Sequence, residues 1–173
     1  MTVAAVLVIV ATAITLAYVK SHNRLVNDRE SVDDSWGTID AELARRHELI
    51  PELVAAVTAS AIHERRLLDE LVCKERIAAT SGTTAAARSG PEHDLELATR
   101  AVVALREQYP ALNSQQNFLT LQRELALTED RISAARRYYN IQVADLNRRV
   151  QAFPSNLVAR RHDFTESTYF GES

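Results

Sequence analysis

The sequence predicts an all-α protein: an up-and-down antiparallel four-helix bundle with an N-terminal single transmembrane helix. Three observations lead there. Val3 to Val19 is a run of seventeen uncharged residues without Gly or Pro, and the chain turns charged from Lys20 onward. Only four Gly and four Pro occur in 173 residues, too few for a β-rich or loop-rich fold. After the apolar run, hydrophobic residues recur at spacings of three and four, the signature of helices with one buried face.

The first element is the apolar run, VAAVLVIVATAITLAYV. At about 1.5 Å per residue it spans roughly 26 Å, close to a hydrocarbon core of about 30 Å. Met1, Thr2 and the ring of Tyr18 extend it, and its only polar groups are Thr12 and Thr15, whose hydroxyls can bond back into their own helix. A cleaved signal peptide calls for a basic segment before the run and a small-x-small site after it. Neither Met1-Thr2 nor the residues before Lys20 supply these, so a retained anchor is expected. Lys20, Arg24 and Arg29 follow the run and no Lys or Arg precedes it. The positive-inside rule then places the chain in the cell inner (cytoplasmic) membrane as a single-pass protein, N-terminus out and C-terminal domain cytoplasmic. The expected organisation is an anchor over 1–20, a helical bundle over 21–154, and a tail over 155–173 packed on the bundle.

Within the bundle, Val32, Trp36, Ile39 and Leu43 form the seam of a first helix that continues from the anchor without a breaker. Pro51 disfavours helical backbone at the residue before it, so this helix is expected to end near His47 to Ile50, with a kinked continuous helix as the alternative. Val54, Val57, Ala61, Glu64, Leu68 and Leu71 mark a second helix that fades near Ala79. Thr80 to His93, TSGTTAAARSGPEH, reads as the one long loop. A third helix runs from about Glu92 to Gln108 with Leu95, Ala98, Val102, Leu105 and Tyr109 on its seam, and Pro110 stops it. The fourth keeps its rhythm longest, through Phe118, Leu121, Leu125, Thr128, Ile132, Ala135, Tyr139, Val143, Leu146, Val150 and Phe153, and ends at Pro154. Such a seam needs several partner surfaces, because an isolated amphipathic helix is marginal in water. The aromatic tail, with Phe164, Tyr169 and Phe170, is expected to fold back on the bundle end.

Composition excludes several function classes. Net charge is -3 and the basic residues are spread evenly, so no patch suggests nucleic acid. Cys73 is the only cysteine, which rules out a disulfide framework and a thiolate metal site. Di-metal carboxylate bundles use Glu-x-x-His pairs, and no Asp or Glu lies three residues before any of the five histidines. Glycine spacing matches neither a P-loop nor a dinucleotide fingerprint, and no Ser or Cys sits in a nucleophile elbow. His63 and Glu64 are adjacent, and adjacent helical residues do not converge on one substrate atom. No cofactor, metal or catalytic residue is expected.

Several segments resemble the LemA family of bacterial membrane-anchored proteins. They are Asn23-Arg24-Leu25-Val26, Trp36 with Ile39-Asp40, Arg45 to Val54 (RRHELIPELV), His63-Glu64, and above all Tyr109 to Pro154. That last run reads YPALNSQQNFLTLQRELALTEDRISAARRYYNIQVADLNRRVQAFP. The order and spacing of these segments carry the resemblance, which covers nearly the whole chain. His22, Glu52 and Asn113 depart from residues usual in the family. The resemblance implies a helical bundle on a single-pass anchor and no established enzymatic activity.

One polar feature stands out. Glu64 occupies a seam position, and Glu129, Arg136, Asn140 and Asn147 fall at spacings of seven, four and seven beside the seam of the fourth helix. Asp40 and Arg46 sit similarly on the first helix. A buried carboxylate without a partner is costly, so these seven residues form a candidate interhelical polar network, with Glu64, Glu129 and Arg136 sharing one cluster. The leading functional expectation is a non-enzymatic membrane-tethered interaction or scaffold module that binds protein partners or itself. The alternatives are a ligand-binding or enzymatic module around Glu64 and Arg136, and a structural homo-oligomer assembled through anchor and bundle.

Overall fold

The computed structural model describes residues 2–171; Met1 and the last two residues of the expected tail, 172 and 173, lie outside the described residues. Among the described residues the protein is all-helical, with six α-helices: α1 (Thr2–Thr58), α2 (Arg65–Ala79), α3 (Ala85–Ala104), the single turn α4 (Pro110–Asn113), α5 (Gln116–Gln151) and α6 (Ser155–Arg161).

α1 is one uninterrupted helix of 57 residues, about 85 Å long at 1.5 Å per residue. Its N-terminal part is long and apolar enough to cross a membrane. Every residue from Thr2 to Lys20 is exposed, and the Thr12 and Thr15 hydroxyls donate to the carbonyls of Val8 and Ala11, as expected of a helix that must satisfy its own polar groups. From Leu25 the same helix changes character. Leu25, Val32, Ile39, Leu43, Ile50, Leu53 and Val57 form a buried stripe along it.

Pro51 does not end the helix; α1 runs through it to Thr58. An internal proline forfeits one backbone hydrogen bond and costs about 3 kcal/mol. Pro51 is exposed, where water can solvate the freed carbonyl, while Ile50, Leu53 and Val57 on the opposite side are 0–1% exposed. Their burial outweighs the proline, so the expected stop near His47 to Ile50 is corrected to a continuous helix. The real break comes at Ala59–Ala61, followed by a 3-10 turn at Ile62–Glu64. Neither Gly nor Pro marks it. Continuing straight would strip Leu68 and Leu71 from the core cluster they share with Val57, Ala61 and Phe118.

α3 also differs from expectation. It starts at Ala85, inside the stretch read as a loop. The Thr84 hydroxyl caps it by accepting from the Ala87 N–H, and Ala85 is buried. Pro91 is again accommodated within the helix. Pro110 begins a turn of helix instead of merely ending one, in keeping with its fit to first helical positions.

Ion pairs record how the helices run. Arg45–Glu124, Arg46–Glu129 and Asp28–Arg149 set α5 antiparallel to α1. Asp40–Arg88 and Arg46–Glu92 set α3 parallel to α1, and Lys74–Asp94 ties α2 to α3. α6 and the tail lie against α1 and α5, with Val158, Ala159 and Phe170 buried there.

The core is split into two. One cluster holds Ile50, Leu53, Val57, Leu68, Leu71, Leu95, Val102, Phe118 and Leu125. The other, nearer the apolar end of α1, holds Leu25, Ile39, Leu43, Ile132, Tyr139, Val143, Leu146 and Phe170. On α1 the step from one cluster to the other falls between Leu43 and Ile50, and on α5 between Ile132 and Leu125.

Candidate functional site

The boundary between the two apolar clusters is charged. Arg46 lies on the buried stripe of α1 between Leu43 and Ile50, and its side chain is 2% exposed. Its Nη1 donates to Glu129 Oε1 at 2.8 Å; its Nη2 donates to Glu92 Oε2 at 2.5 Å and to the Glu92 backbone carbonyl at 3.1 Å. Glu92 is as deeply buried, at 3%. Its second oxygen, Oε1, faces His47 Nε2 at 3.0 Å, and His47 Nδ1 faces Glu75 Oε1 at 3.2 Å. Four helices thus contribute to one layer: α1 the two cations, α2, α3 and α5 one carboxylate each.

The electrostatics follow from this geometry. Burial alone pulls Arg46 down, but Glu129 and Glu92 more than reverse it, so its pKa is raised and it stays charged. Burial pushes the Glu92 carboxyl up; its hydrogen bonds and charge attraction with His47 and Arg46 outweigh that and hold it below the usual range. The hydrogen bond to Glu92 raises His47, against an opposing burial contribution, with Glu75 adding to the rise. Both ring nitrogens of His47 face carboxylates, and only the doubly protonated imidazolium donates from both. With His47 protonated, two cations meet three carboxylates; with it neutral, one cation does.

Of the seven expected network residues, Arg46 and Glu129 sit in this layer. Asp40 pairs with Arg88 near the surface. Glu64 accepts from the Tyr109 hydroxyl at 2.9 Å, at the far end beside the α1–α2 turn. The expected cluster of Glu64, Glu129 and Arg136 does not form, because the break after Thr58 places Glu64 in a 3-10 turn instead of mid-helix. Arg136 lines a cavity of ≈ 290 Å³ beside the layer, together with Glu92, Glu96, Phe170 and Gly171.

Asn140 and Asn147 hold the tail. Asn140 Nδ2 donates to the Phe170 carbonyl at 3.1 Å, and its Oδ1 accepts from the Phe170 N–H at 3.0 Å. Asn147 repeats the arrangement with Ser167, at 2.9 and 2.8 Å. Between them, the Tyr139 hydroxyl donates to the Thr168 carbonyl. Phe170 stacks edge-on against Trp36, 5.3 Å between ring centres, and the Trp36 indole donates to the Thr83 carbonyl. The stripe beside the α5 seam therefore serves two structures, an interhelical charged layer and a clamp on the tail.

Three members of the layer escaped the sequence reading: His47, Glu75 and Glu92. A signal for Glu92 exists. It lies three residues before Leu95 and seven after Ala85, on the seam of α3 once the helix is carried back through Pro91 and Gly90. Among the described residues no group of three or more His, Cys, Asp or Glu is placed to hold a metal ion. Cys73 is exposed and free, and His63 is exposed. The arrangement offers charge compensation and proton exchange at His47, and no nucleophile with an adjacent base.

Comparison with known proteins shows the family. A family model described as LemA family matches residues 35–172. Protein LemA of Metamycoplasma hominis is 22% identical over 156 residues, covering 90% of this chain and 71% of that protein. The matched interval holds the whole charged layer and the tail clamp, and the chain belongs to the LemA family.

Proposed function

We propose that the protein is a non-enzymatic, single-pass membrane-tethered interaction module, with an up-and-down four-helix bundle held at the cytoplasmic face of the inner membrane. The observation that carries the reading is the two-part character of α1. One part supplies the core of the helical body; the other, Val3 to Val19, is exposed along its whole length, with Tyr18 near its end meeting His162. Soluble proteins rarely leave so large an apolar surface without a partner, and a bilayer is the partner that fits its length. Lys20, Arg24 and Arg29 at its C-terminal end favour a cytoplasmic body. α3 runs parallel and α5 antiparallel to α1, which favours the up-and-down bundle.

An exposed stripe on α5 supports the interaction role. Leu127, Tyr138 and Ile141 are 43%, 57% and 58% exposed and lie on one outer face with Ala134 between them, at helical spacing. A protein partner or a second copy of the chain would cover it.

Two measurements test this. Cys73 is exposed, so a membrane-impermeant thiol reagent reports the side on which the body lies. The reading expects labelling only after permeabilisation; labelling of intact cells overturns the orientation. A photo-crosslinking residue at Ile141 is expected to capture a protein in cells, and the same group at exposed Glu107 is not. Equal or absent capture at both positions rejects the α5 face as the interaction surface.

A further inference from the structure

The segment Phe153–His162 brings exposed apolar and basic side chains together. α6 buries Val158 and Ala159 against the helical body. Its opposite face carries Leu157, Arg160 and Arg161, at spacings of three and four that put them on one side of a helix. Leu157 is 59% exposed, and Phe153, in the turn just before α6, is 80% exposed. No other large apolar side chain outside the first nineteen residues is as exposed as Phe153 among the described residues.

The height of this segment along α1 is set by side-chain contacts. His162 Nε2 lies 2.6 Å from the Tyr18 hydroxyl, one residue from the end of the apolar run. The same imidazole packs edge-on against His22 at 4.5 Å, and Phe164 packs edge-on against His22 at 6.0 Å. Arg149, at the end of α5, pairs with Asp28. α6 therefore lies beside the stretch of α1 that immediately follows the apolar run. At the same level α1 carries Lys20 and Arg24; these, Arg160 and Arg161 are all exposed, and none pairs with a carboxylate among the described residues. Arg160 and Arg161 also suit the C-terminal end of a helix dipole, but that accounts for neither Phe153 nor Leu157. Aromatic and aliphatic side chains beside cations, at the level where an apolar span ends, match the boundary between acyl chains and anionic headgroups.

We propose that α6 and the turn before it form an interfacial foot: Phe153 and Leu157 enter the headgroup boundary of the bilayer, and Lys20, Arg24, Arg160 and Arg161 bind anionic headgroup phosphates. The foot rests on the reading that Val3 to Val19 spans that bilayer. It gives the body a second point of attachment beside α1, so that the long helix cannot swivel freely and the α5 face keeps one orientation to the membrane surface.

The test uses the full chain in vesicles of phosphatidylcholine with phosphatidylglycerol, in a Cys73→Ser background with one spin label introduced by Leu157→Cys. Val10→Cys and Val72→Cys serve as references for the span and for exposed α2. The collision ratio of oxygen to a water-soluble nickel chelate reports depth. The foot predicts a deep label at Val10, a water-exposed label at Val72, and an interfacial label at Leu157. Adding Arg160→Gln and Arg161→Gln, or omitting the anionic lipid, is expected to move the Leu157 label toward water. A deep Val10 label with a Leu157 label as water-exposed as Val72 overturns the foot and leaves the span intact. A Leu157 label shielded from both reagents also overturns it, since protein and not lipid then covers the site. A water-exposed Val10 label overturns the span, and the foot with it.

Discussion

Arg46 and Glu92 meet at 2.5 Å with side chains 2% and 3% exposed, sealed between two apolar clusters. Two charges taken this far from water gain stability only if their remaining polar groups are also satisfied. Here Glu129 takes the second terminal nitrogen of Arg46 and His47 the second oxygen of Glu92, and of the guanidinium only Nε is left without a partner among the described residues. Such a layer fixes how four helices slide past one another, because an axial shift would set each charge against an apolar cluster.

Arg46→Ala leaves Glu92 buried without its main partner. It is expected to lower stability by about 3–5 kcal/mol, as breaking a buried pair does. Replacing Arg46, Glu92 and Glu129 together with Met and Leu residues is expected to recover much of that loss, measured by denaturant unfolding of the detergent-solubilised protein. A triple variant no more stable than Arg46→Ala would show that the layer contributes more than charge compensation.

Stability is expected to depend on pH through His47. Its pKa is raised in the folded protein, chiefly by the hydrogen bond to Glu92. Its contribution is therefore complete below the unfolded value of about 6.5 and is lost as pH rises through the higher folded value. The melting temperature should fall across that window, and His47→Gln should flatten the fall. Glu92, whose pKa is lowered, acts in the opposite direction: its contribution disappears in acid, as pH falls through its folded value.

The tail clamp can be opened locally. Asn147→Ala removes two hydrogen bonds to Ser167, at about 0.5–1.5 kcal/mol net each. The expected result is faster hydrogen exchange at Ser167 and its neighbours with α1 and α5 unchanged. Gly171→Ala should also loosen the tail. Gly171 has φ +73°, and an added Cβ would lie 2.9 Å from Arg136 Cδ. Exchange in the tail as slow as in the parent protein for both variants would reject the clamp.

The α5 seam offers an internal comparison. Leu125 and Ile132, 3% and 7% exposed, flank the charged layer on opposite sides. Replacing either by Ala is expected to cost about 2–5 kcal/mol. Leu127→Ala, at 43% exposure, is expected to change stability by less than about 0.5 kcal/mol while weakening whatever binds the outer stripe. Equal losses at Leu125 and Leu127 would mean that the seam is wrongly phased.

Periodicity alone determined the all-helical class, the apolar first segment and the phase of α5, where Phe118, Leu121, Leu125, Thr128, Ile132, Tyr139, Val143 and Leu146 are all buried. These depend on which residues share a helical face, and that is local. Where helices begin and end was decided by tertiary structure. Pro51 and Pro91 carry strong local preferences, yet Ile50 and Leu53 around one and Glu92 and Leu95 around the other are worth more buried in a continuous helix. The break after Thr58 has no local marker, because it exists to return Leu68 and Leu71 to the core. The charged layer depends on these same boundaries. Arg46 and Glu129 were legible as polar residues beside apolar seams. Glu92, which meets Arg46, falls where the apparent loop and the expected third helix overlap, and Glu64 belongs to a helix phase that the chain abandons before reaching it. A sequence shows which face a residue shares; which residues meet across helices depends on where each helix stops.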